Sequence, residues 1–322
     1  PEERTTEALL YDHMPSQSGR SLPIIYRPFD PADRGHWRDR GAALDFVLAT
    51  RSAGRRVLDF GPGDGWPSLI IAPEVAEVVG VEGSHHRVSV CERNAARLDV
   101  TNARFRYVEP GTPLPFPDES FDAAVAASSL EQTPDPQATL TEIYRVLRPS
   151  GRLRIRYEAL NRYRDGQERE VWLWEVDESQ TRLVIYDRDV ENEKASQIVL
   201  VFDIPQEQLA DALGGHDTTL RFEHLTVKRL ARLRDAVIDA GVATTRHPSG
   251  ATWQRWTTEA GFRQVFPTHD GIRIAGEIFD HLPEEDRPMT MTAIDAYLRP
   301  IIEVVVEMAA PIAYDPAITA VK

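Results

Sequence analysis

The chain has little that would support a cross-linked, metal-clustered or membrane-embedded structure. It contains a single cysteine, Cys91, which excludes an internal disulfide and a cysteine zinc cluster. Cys91 falls in a predicted helix, where a small buried hydrophobe is the default role. No apolar run approaches the ~20 residues that a membrane-spanning helix needs. Residues 1–10 are acidic and lack the apolar core of a signal peptide, so we expect a cytoplasmic protein without a membrane partner.

Positive charge is also scarce. The 37 lysine and arginine residues face 51 aspartate and glutamate residues, and the formal net charge is −14. Acidity of this size repels phosphate backbones and therefore disfavours a nucleic acid partner. Histidines and carboxylates do not cluster at metal-ligand spacings, so the sequence predicts no metal site. The oligomeric state stays open, with a homodimer as one alternative.

The most informative motif is a glycine-rich run after a short apolar segment. Residues 57–65 read Val-Leu-Asp-Phe-Gly-Pro-Gly-Asp-Gly, and residues 78–82 read Val-Val-Gly-Val-Glu. The first run predicts a strand that ends near Asp59, and the second a strand that ends in a carboxylate suited to a ribose diol. The G-x-G-x-G spacing suits a mononucleoside such as S-adenosylmethionine, because a tight loop has no pyrophosphate to cradle. A glycine triplet alone is equally compatible with an ordinary turn.

Two further motifs follow in order. Residues 114–122 read Leu-Pro-Phe-Pro-Asp-Glu-Ser-Phe-Asp, and residues 140–153 read Leu-Thr-Glu-Ile-Tyr-Arg-Val-Leu-Arg-Pro-Ser-Gly-Arg-Leu. Together with the two motifs above, they resemble class I S-adenosylmethionine-dependent methyltransferases over residues 55–157. The resemblance implies an α/β, Rossmann-like, mostly parallel seven-stranded sheet. It also implies S-adenosylmethionine as cofactor and S-adenosylhomocysteine as product. Alternating strands and helices independently predict a parallel sheet.

Ligands of open α/β sheets bind beyond the carboxyl ends of the strands. Glu82 would accept the ribose hydroxyls, with a solvated strand-end acid as the alternative. Glu109 would replace the adenine-binding aspartate that the family pattern has and this chain lacks, with an exposed acid as the alternative. The predicted cofactor-binding residues are Asp59, Gly61, Gly63, Glu82, Gly83, Ser84, Glu109 and Ser128.

The sequence defines the binding site of the methyl acceptor less clearly than that of the cofactor. In-line displacement on a sulfonium needs the acceptor atom aligned at roughly 3–3.5 Å from the methyl group, and a general base only if the acceptor must lose a proton. Candidates for that base are Glu131, His36 and Tyr26, although an ordinary surface or capping role competes for any single histidine. The arginines at positions 152, 154, 156, 162 and 164 would bind an anionic acceptor or simply be solvated.

The rest of the chain changes pattern after Tyr157. Strand-like runs at Trp172–Val176, Arg182–Asp187 and Gln197–Phe202 predict an antiparallel meander. A helix capped by Thr226 would extend to Gly241. A second helix, Thr252 to Ala260, would lead into the sixth strand, Phe262–Phe266, although the Thr226 helix could be the one that leads into the sixth strand instead. The predicted segments are an N-terminal cover (1–45), a cofactor-binding core (46–157), an insertion or substrate region (158–246), a return to the core sheet (247–280) and a C-terminal helical extension (281–322).

The sequence therefore predicts methyl transfer from S-adenosylmethionine to a small-molecule acceptor. One rival is an RNA- or protein-directed methyltransferase that uses the arginines at 152–164. Another is a protein that binds the cofactor without catalysis or that mediates assembly.

Overall fold

The computed structural model describes residues 29–160, 169–176, 178–215 and 220–322. The chain divides into two compact units, with boundaries after Tyr157 and after Ser249. Tyr26 and most of the predicted N-terminal cover lie outside the described residues. Every helix that the structure describes is too short or too polar to cross a bilayer.

The first unit is built on a seven-stranded sheet. Its strands are β1 (Arg56–Phe60), β2 (Glu77–Glu82), β3 (Ala103–Tyr107), β4 (Phe121–Ala127), β5 (Leu147–Arg156), β10 (Gln264–Thr268) and β11 (Ala317–Val321). The remaining strands belong to the second unit and are β6 (Arg169–Glu175), β7 (Thr181–Asp189), β8 (Lys194–Phe202) and β9 (Val237–Arg246). The order across the large sheet is β3-β2-β1-β4-β5-β11-β10. Only β11 runs antiparallel to its neighbours in this sheet. The predicted mostly parallel Rossmann-like sheet is confirmed.

Helices connect these strands. They are α1 (Arg34–Thr50), α2 (Ser68–Ile71), α3 (His85–Arg97), α4 (Pro136–Val146), α5 (Gln206–Leu213), α6 (Val227–Arg232), α7 (Gly250–Glu259), α8 (Gly271–His281) and α9 (Met291–Val305). Ser84 caps α3 as predicted, because its hydroxyl accepts the backbone N–H of Arg87. Asp135 caps α4 in the same way, and Pro136 occupies the first helical position, where no N–H is needed.

The core lies on both faces of the central strands. Residues 123–126 of β4 are at most 1% exposed, as expected for a parallel strand covered on both sides. Phe46 and Val47 of α1 pack with Val57 of β1 and Val78 of β2 in one cluster. This packing holds the carboxyl ends of β1, β2 and β4 in fixed positions at one edge of the sheet.

The boundary of the predicted cover at residue 45 does not match the local structure. Helix α1 begins at Arg34, and Trp37 is fully buried in a cluster with Leu44 of α1 and Leu298 of α9. The aromatic and apolar residues of this stretch therefore form the first core helix rather than an irregular segment. Asp33 caps the helix by accepting the Gly35 N–H, a signal that the sequence analysis did not use.

The C-terminal residues are not helical throughout. Helix α9 contains Pro300, in agreement with the expected helix in this region, but Ala317–Val321 form β11 between β5 and β10. The run Ala-Ile-Thr-Ala-Val is short and buried, which suits an inserted strand. The expectation of a helical extension over 281–322 was wrong at these positions.

The second unit contains a four-stranded antiparallel sheet in the order β6-β7-β8-β9. This confirms the predicted meander and adds a strand to it. Leu183 and Phe202 of the sheet pack with Leu209 and Leu213 of α5. The predicted long Thr226 helix was wrong, because α6 ends at Arg232 and Val237–Arg246 pair with β8. The β-branched residues of this run favour a strand, and pairing with β8 outweighs its helical spacing.

Candidate functional site

The glycine loop lies at the carboxyl end of β1, where the sheet order reverses between β1 and β4. Gly61, Gly63 and Gly65 have φ angles of 77°, 62° and 112°, in the left-handed region that favours glycine. A methyl group at Gly61 would overlap the Cβ of Ser129, which follows β4. The loop therefore requires glycine at position 61 for its close approach to the neighbouring strand end.

Glu82, at the end of β2, is directed at this loop. Its Oε2 accepts the Gly63 N–H at 2.9 Å, and its Oε1 accepts the Gly83 N–H at 2.9 Å. The side chain is buried, and burial raises the pKa of its carboxyl, while the Arg87 charge and the surrounding N–H groups act in the opposite direction. The N–H groups of Gly63, Gly83 and Ser84 take up to three of the roughly four acceptor positions of the carboxylate, so Glu82 can still accept a further hydrogen bond.

Helix α3 supports the loop from the other side. The Cys91 thiol lies 3.3 Å from the Gly63 carbonyl oxygen, and Asn94 Nδ2 donates to the Asp64 carbonyl at 2.7 Å. Burial raises the pKa of Cys91 well above its ordinary value, so this thiol is neutral. This support was not predicted from the sequence. The signal was the helical spacing of Arg87, Cys91 and Asn94, which share one face of α3.

Asp59 lies beneath the loop and is fully buried. Its Oδ2 accepts the Ser68 hydroxyl at 2.6 Å, while its Oδ1 has no hydrogen-bond partner among the described residues. Burial raises the pKa of Asp59 to about 7, although the bonds from Ser68 oppose that shift. A cation placed beside Oδ1 would stabilise the ionised form.

Other predicted cofactor residues have partners within the protein. Gly83 donates to Glu82, and the Ser84 hydroxyl caps α3. Glu109 accepts the hydroxyl of Tyr107, whose ring stacks on His85 with centroids 3.6 Å apart. Glu109 is therefore a partly buried group in a polar–aromatic cluster next to β3, and it is not a fully solvated acid.

Ser128 follows β4 with a φ angle of 51°. Its N–H donates to the Arg156 carbonyl at 2.7 Å, and its carbonyl accepts from Gln132 Nε2. This turn directs the next residue, Ser129, onto the glycine loop. Ser129 was not predicted, because its contact with Gly61 joins residues that are distant in the sequence.

The two candidate bases within the described residues are buried. Glu131 is 3% exposed in the single helical turn Leu130–Gln132. His36 stacks on Phe29, and its Nδ1 accepts the Asp30 N–H at 2.6 Å. The Nε2 of His36 is buried without a partner in the part of the chain that the structure describes. Their assignment as proton acceptors stays a prediction, and Tyr26 lies outside the described residues.

The arginine run does not form a common surface. Arg152 donates to the Ala49 carbonyl, and the fully buried Arg154 makes a two-point contact with Asp45 at 2.7 and 2.8 Å. These two side chains therefore hold α1 against β5 and are not solvated. Arg156 lies at the carboxyl end of β5, and Arg162 and Arg164 are outside the described residues.

Part of the core is similar in sequence to a known family. Residues 58–155 match the sequence profile of the family described as a methyltransferase domain. The arsenite methyltransferase of Halobacterium salinarum is 36% identical over 129 residues, which are 39% of this chain and 32% of that protein. The demethylmenaquinone methyltransferase of Clavibacter sepedonicus is 38% identical over 114 residues, 34% of this chain and 45% of that protein. The chain thus spans less than half the length of these two relatives.

A solved structure matches over a longer range. The CcbJ methyltransferase of Streptomyces caelestis aligns with 99% of this chain and 98% of its own, at a TM-score of 0.51 and 16% identity. At this identity the match shows the fold alone. Over residues 58–155, sheet order, glycine loop and profile match together make the core similar to class I S-adenosylmethionine-dependent methyltransferase domains.

The residues present fit the cofactor of this class. The unpartnered Oδ1 of Asp59 offers a site for an ammonium group, and the Glu82 carboxylate has acceptor capacity for a ribose diol. Both groups lie at strand ends that flank the glycine loop, where a nucleoside would bind beyond the carboxyl ends of a parallel sheet.

The contact between Gly61 and Ser129 makes a prediction about stability. Gly61→Ala should lower the free energy of unfolding by about 1–3 kcal/mol more than Gly54→Ala, as measured by urea denaturation. Both glycines have positive φ, but an added methyl at Gly54 would meet nothing within 4 Å. The pair therefore separates overpacking from backbone strain. Equal losses in the two variants would contradict the packing explanation.

Proposed function

We propose that the protein transfers a methyl group from S-adenosylmethionine to a small-molecule acceptor. When bound, the cofactor supplies a methyl group already activated by a sulfonium. The observation that carries the proposal is the Glu82 carboxylate, buried at the end of β2 and bonded to the N–H groups of Gly63 and Gly83. These bonds orient both carboxylate oxygens before a ligand arrives, so little reorganisation opposes binding of the ribose hydroxyls.

Different groups of the protein contact different parts of the cofactor. Glu82 accepts the ribose hydroxyls, Asp59 faces the ammonium of the amino-acid tail, and Gly61 and Gly63 let the loop backbone approach that tail. Ser129 holds the loop at its observed distance from β4. Glu109, with Tyr107 and His85, forms the polar side of the adenine site beyond β3. Gly83 and Ser84 contribute backbone geometry at the end of β2, and Ser128 does so at the end of β4.

A small-molecule acceptor is favoured over RNA or protein. The names of the two sequence relatives specify arsenite and demethylmenaquinone, which are small molecules. Arg152 and Arg154, which a nucleic acid footprint would need, are engaged within the protein. The net charge of −14 also opposes binding to a polyanion. The contribution of residues 158–246 to acceptor choice stays a prediction.

Substitution of Glu82 tests the proposal. Glu82→Ala should weaken binding of S-adenosylhomocysteine at least tenfold, about 1.4 kcal/mol, in isothermal titration calorimetry. The matched control is Glu77→Ala, which removes the carboxylate at the other end of β2, where Glu77 pairs with Arg56 at the surface. The control should keep the wild-type affinity. Unchanged affinity in Glu82→Ala, with the fold intact, would remove the proposed role of this residue.

Asp59 predicts a pH dependence of cofactor binding. With a pKa of about 7, Asp59 is mostly protonated at pH 6 and mostly ionised at pH 8. Only the ionised form attracts an ammonium, so the affinity for S-adenosylhomocysteine should fall about tenfold from pH 8 to pH 6. 5′-Methylthioadenosine lacks the amino-acid tail and should show no such slope. Asp59→Asn should abolish the difference between the two ligands. Parallel pH profiles for both ligands in the wild type would contradict the assignment.

A further inference from the structure

Strand β5 carries Arg152, Arg154 and Arg156 at alternate positions, so their side chains lie on one face of the sheet. Helix α1 packs along this face. Arg152 Nη1 donates to the Ala49 carbonyl at 3.0 Å, and Arg154 pairs with Asp45, one turn earlier in the helix. The helix therefore runs antiparallel to β5, and its first turns lie near the carboxyl end of the strand, where Arg156 stands.

The three arginines differ in how their donors are used. A guanidinium has five N–H donors. Arg154 makes five hydrogen bonds, two to Asp45 and one each to Thr268, Thr319 and the His269 carbonyl. Arg156 makes a single side-chain contact within the described residues, from Nε to Asp270 at 3.4 Å. The terminal nitrogens of Arg156 are thus available to a ligand.

Arg38, on the first half of α1, adds a second guanidinium at this edge. Across the described ranges no hydrogen bond or ion pair engages its side chain. Arg38 is exposed, but partial desolvation lowers its pKa, and the neighbouring charge of Arg156 lowers it further, whereas Asp270 and Asp39 have the opposite effect. The register of α1 along β5 places Arg38, about two turns before Asp45 in the helix, towards the end of the strand that carries Arg156.

Asp270 does not neutralise both cations. Its Oδ1 accepts the Ile272 N–H at 2.8 Å as the cap of α8, and its Oδ2 takes the long contact from Arg156. Asp39, the other acid near Arg38, accepts the Trp66 indole N–H at 3.1 Å. The α1–β5 register thus places two guanidinium groups at the carboxyl edge of β5, beside carboxylates that already have partners. Such a pair matches the planar, two-point geometry of a carboxylate or phosphate.

We propose that Arg38 and Arg156 bind an anionic group, a carboxylate or phosphate, of the methyl acceptor. This inference rests on the proposed function. Strand β5 is two strands away from β1, about 9–10 Å at the usual spacing. An anion held there is displaced from the glycine loop that faces the cofactor tail. The overall charge of −14 repels an anionic acceptor, and the two arginines supply a local positive charge that attracts it.

Inorganic phosphate is a suitable probe of the pair. Its binding should be measured by tryptophan fluorescence, with and without saturating S-adenosylhomocysteine. The wild type should bind phosphate saturably in both conditions. Arg38→Gln and Arg156→Gln should each weaken phosphate at least tenfold, and Arg38→Lys should lose less because it keeps the charge. The matched control, Arg104→Gln, removes an exposed arginine of β3 that bonds only to carbonyls of its own chain segment, and it should bind phosphate as the wild type does.

Cofactor binding shows whether the anion that the pair binds belongs to the methyl acceptor or is the carboxylate of the cofactor. Arg38→Gln should bind S-adenosylhomocysteine within twofold of the wild type. A tenfold loss for S-adenosylhomocysteine with unchanged affinity for 5′-methylthioadenosine would assign the pair to the cofactor carboxylate and overturn the proposal. Absence of saturable phosphate binding to the wild type, or equal binding in Arg38→Gln, would overturn it too. Failure of the wild type to bind S-adenosylhomocysteine would instead refute the proposed function, while the phosphate titration without that ligand would still test the pair.

Discussion

The hydrogen bond from the Gly63 N–H to the Glu82 carboxylate joins the ends of β1 and β2, and the arrangement of the site depends on it. The loop is held on its other sides by Ser129 after β4 and by Cys91 and Asn94 of α3. Residues from three other elements therefore define one short segment of backbone. A ligand that binds against this segment meets a preformed surface, which reduces the entropic cost of binding.

Charge is distributed unevenly around that surface. Asp59 and Glu82 are buried acids whose pKa values are raised by desolvation, so the edge at β1 and β2 favours a bound cation and hydroxyl donors. Two strands away, Arg38 and Arg156 favour an anion. A methyl donor with an ammonium and a sulfonium, and an acceptor with an acidic group, would each meet complementary charge. Under the two proposals, each ligand would have its own place along the carboxyl edge of the sheet.

Local patterns predicted the core well. The strand ends at Asp59 and Glu82, the Ser84 cap and the short buried β4 follow from residues that are close in the sequence. Contacts between distant segments could not be derived in this way. Ser129, Cys91 and Asn94 reach the glycine loop only because the sheet brings β4 and α3 beside it. For the same reason Arg154 has the pattern of a solvated strand residue, yet it is fully buried through Asp45 of α1. Tertiary pairing also decided β9, where the helical spacing after Thr226 indicated a helix, and β11, which lies in the segment expected to be a helical extension.

The central claim is that an adenosyl ligand lies across the carboxyl edge of β1 and β2, with its ribose on Glu82. The most direct measurement is a crystal structure of the protein with S-adenosylhomocysteine. The account predicts density over the glycine loop, with both ribose hydroxyls within hydrogen-bond distance of the Glu82 carboxylate. Density at any other edge of the sheet, or a ribose whose hydroxyls avoid Glu82, would contradict it.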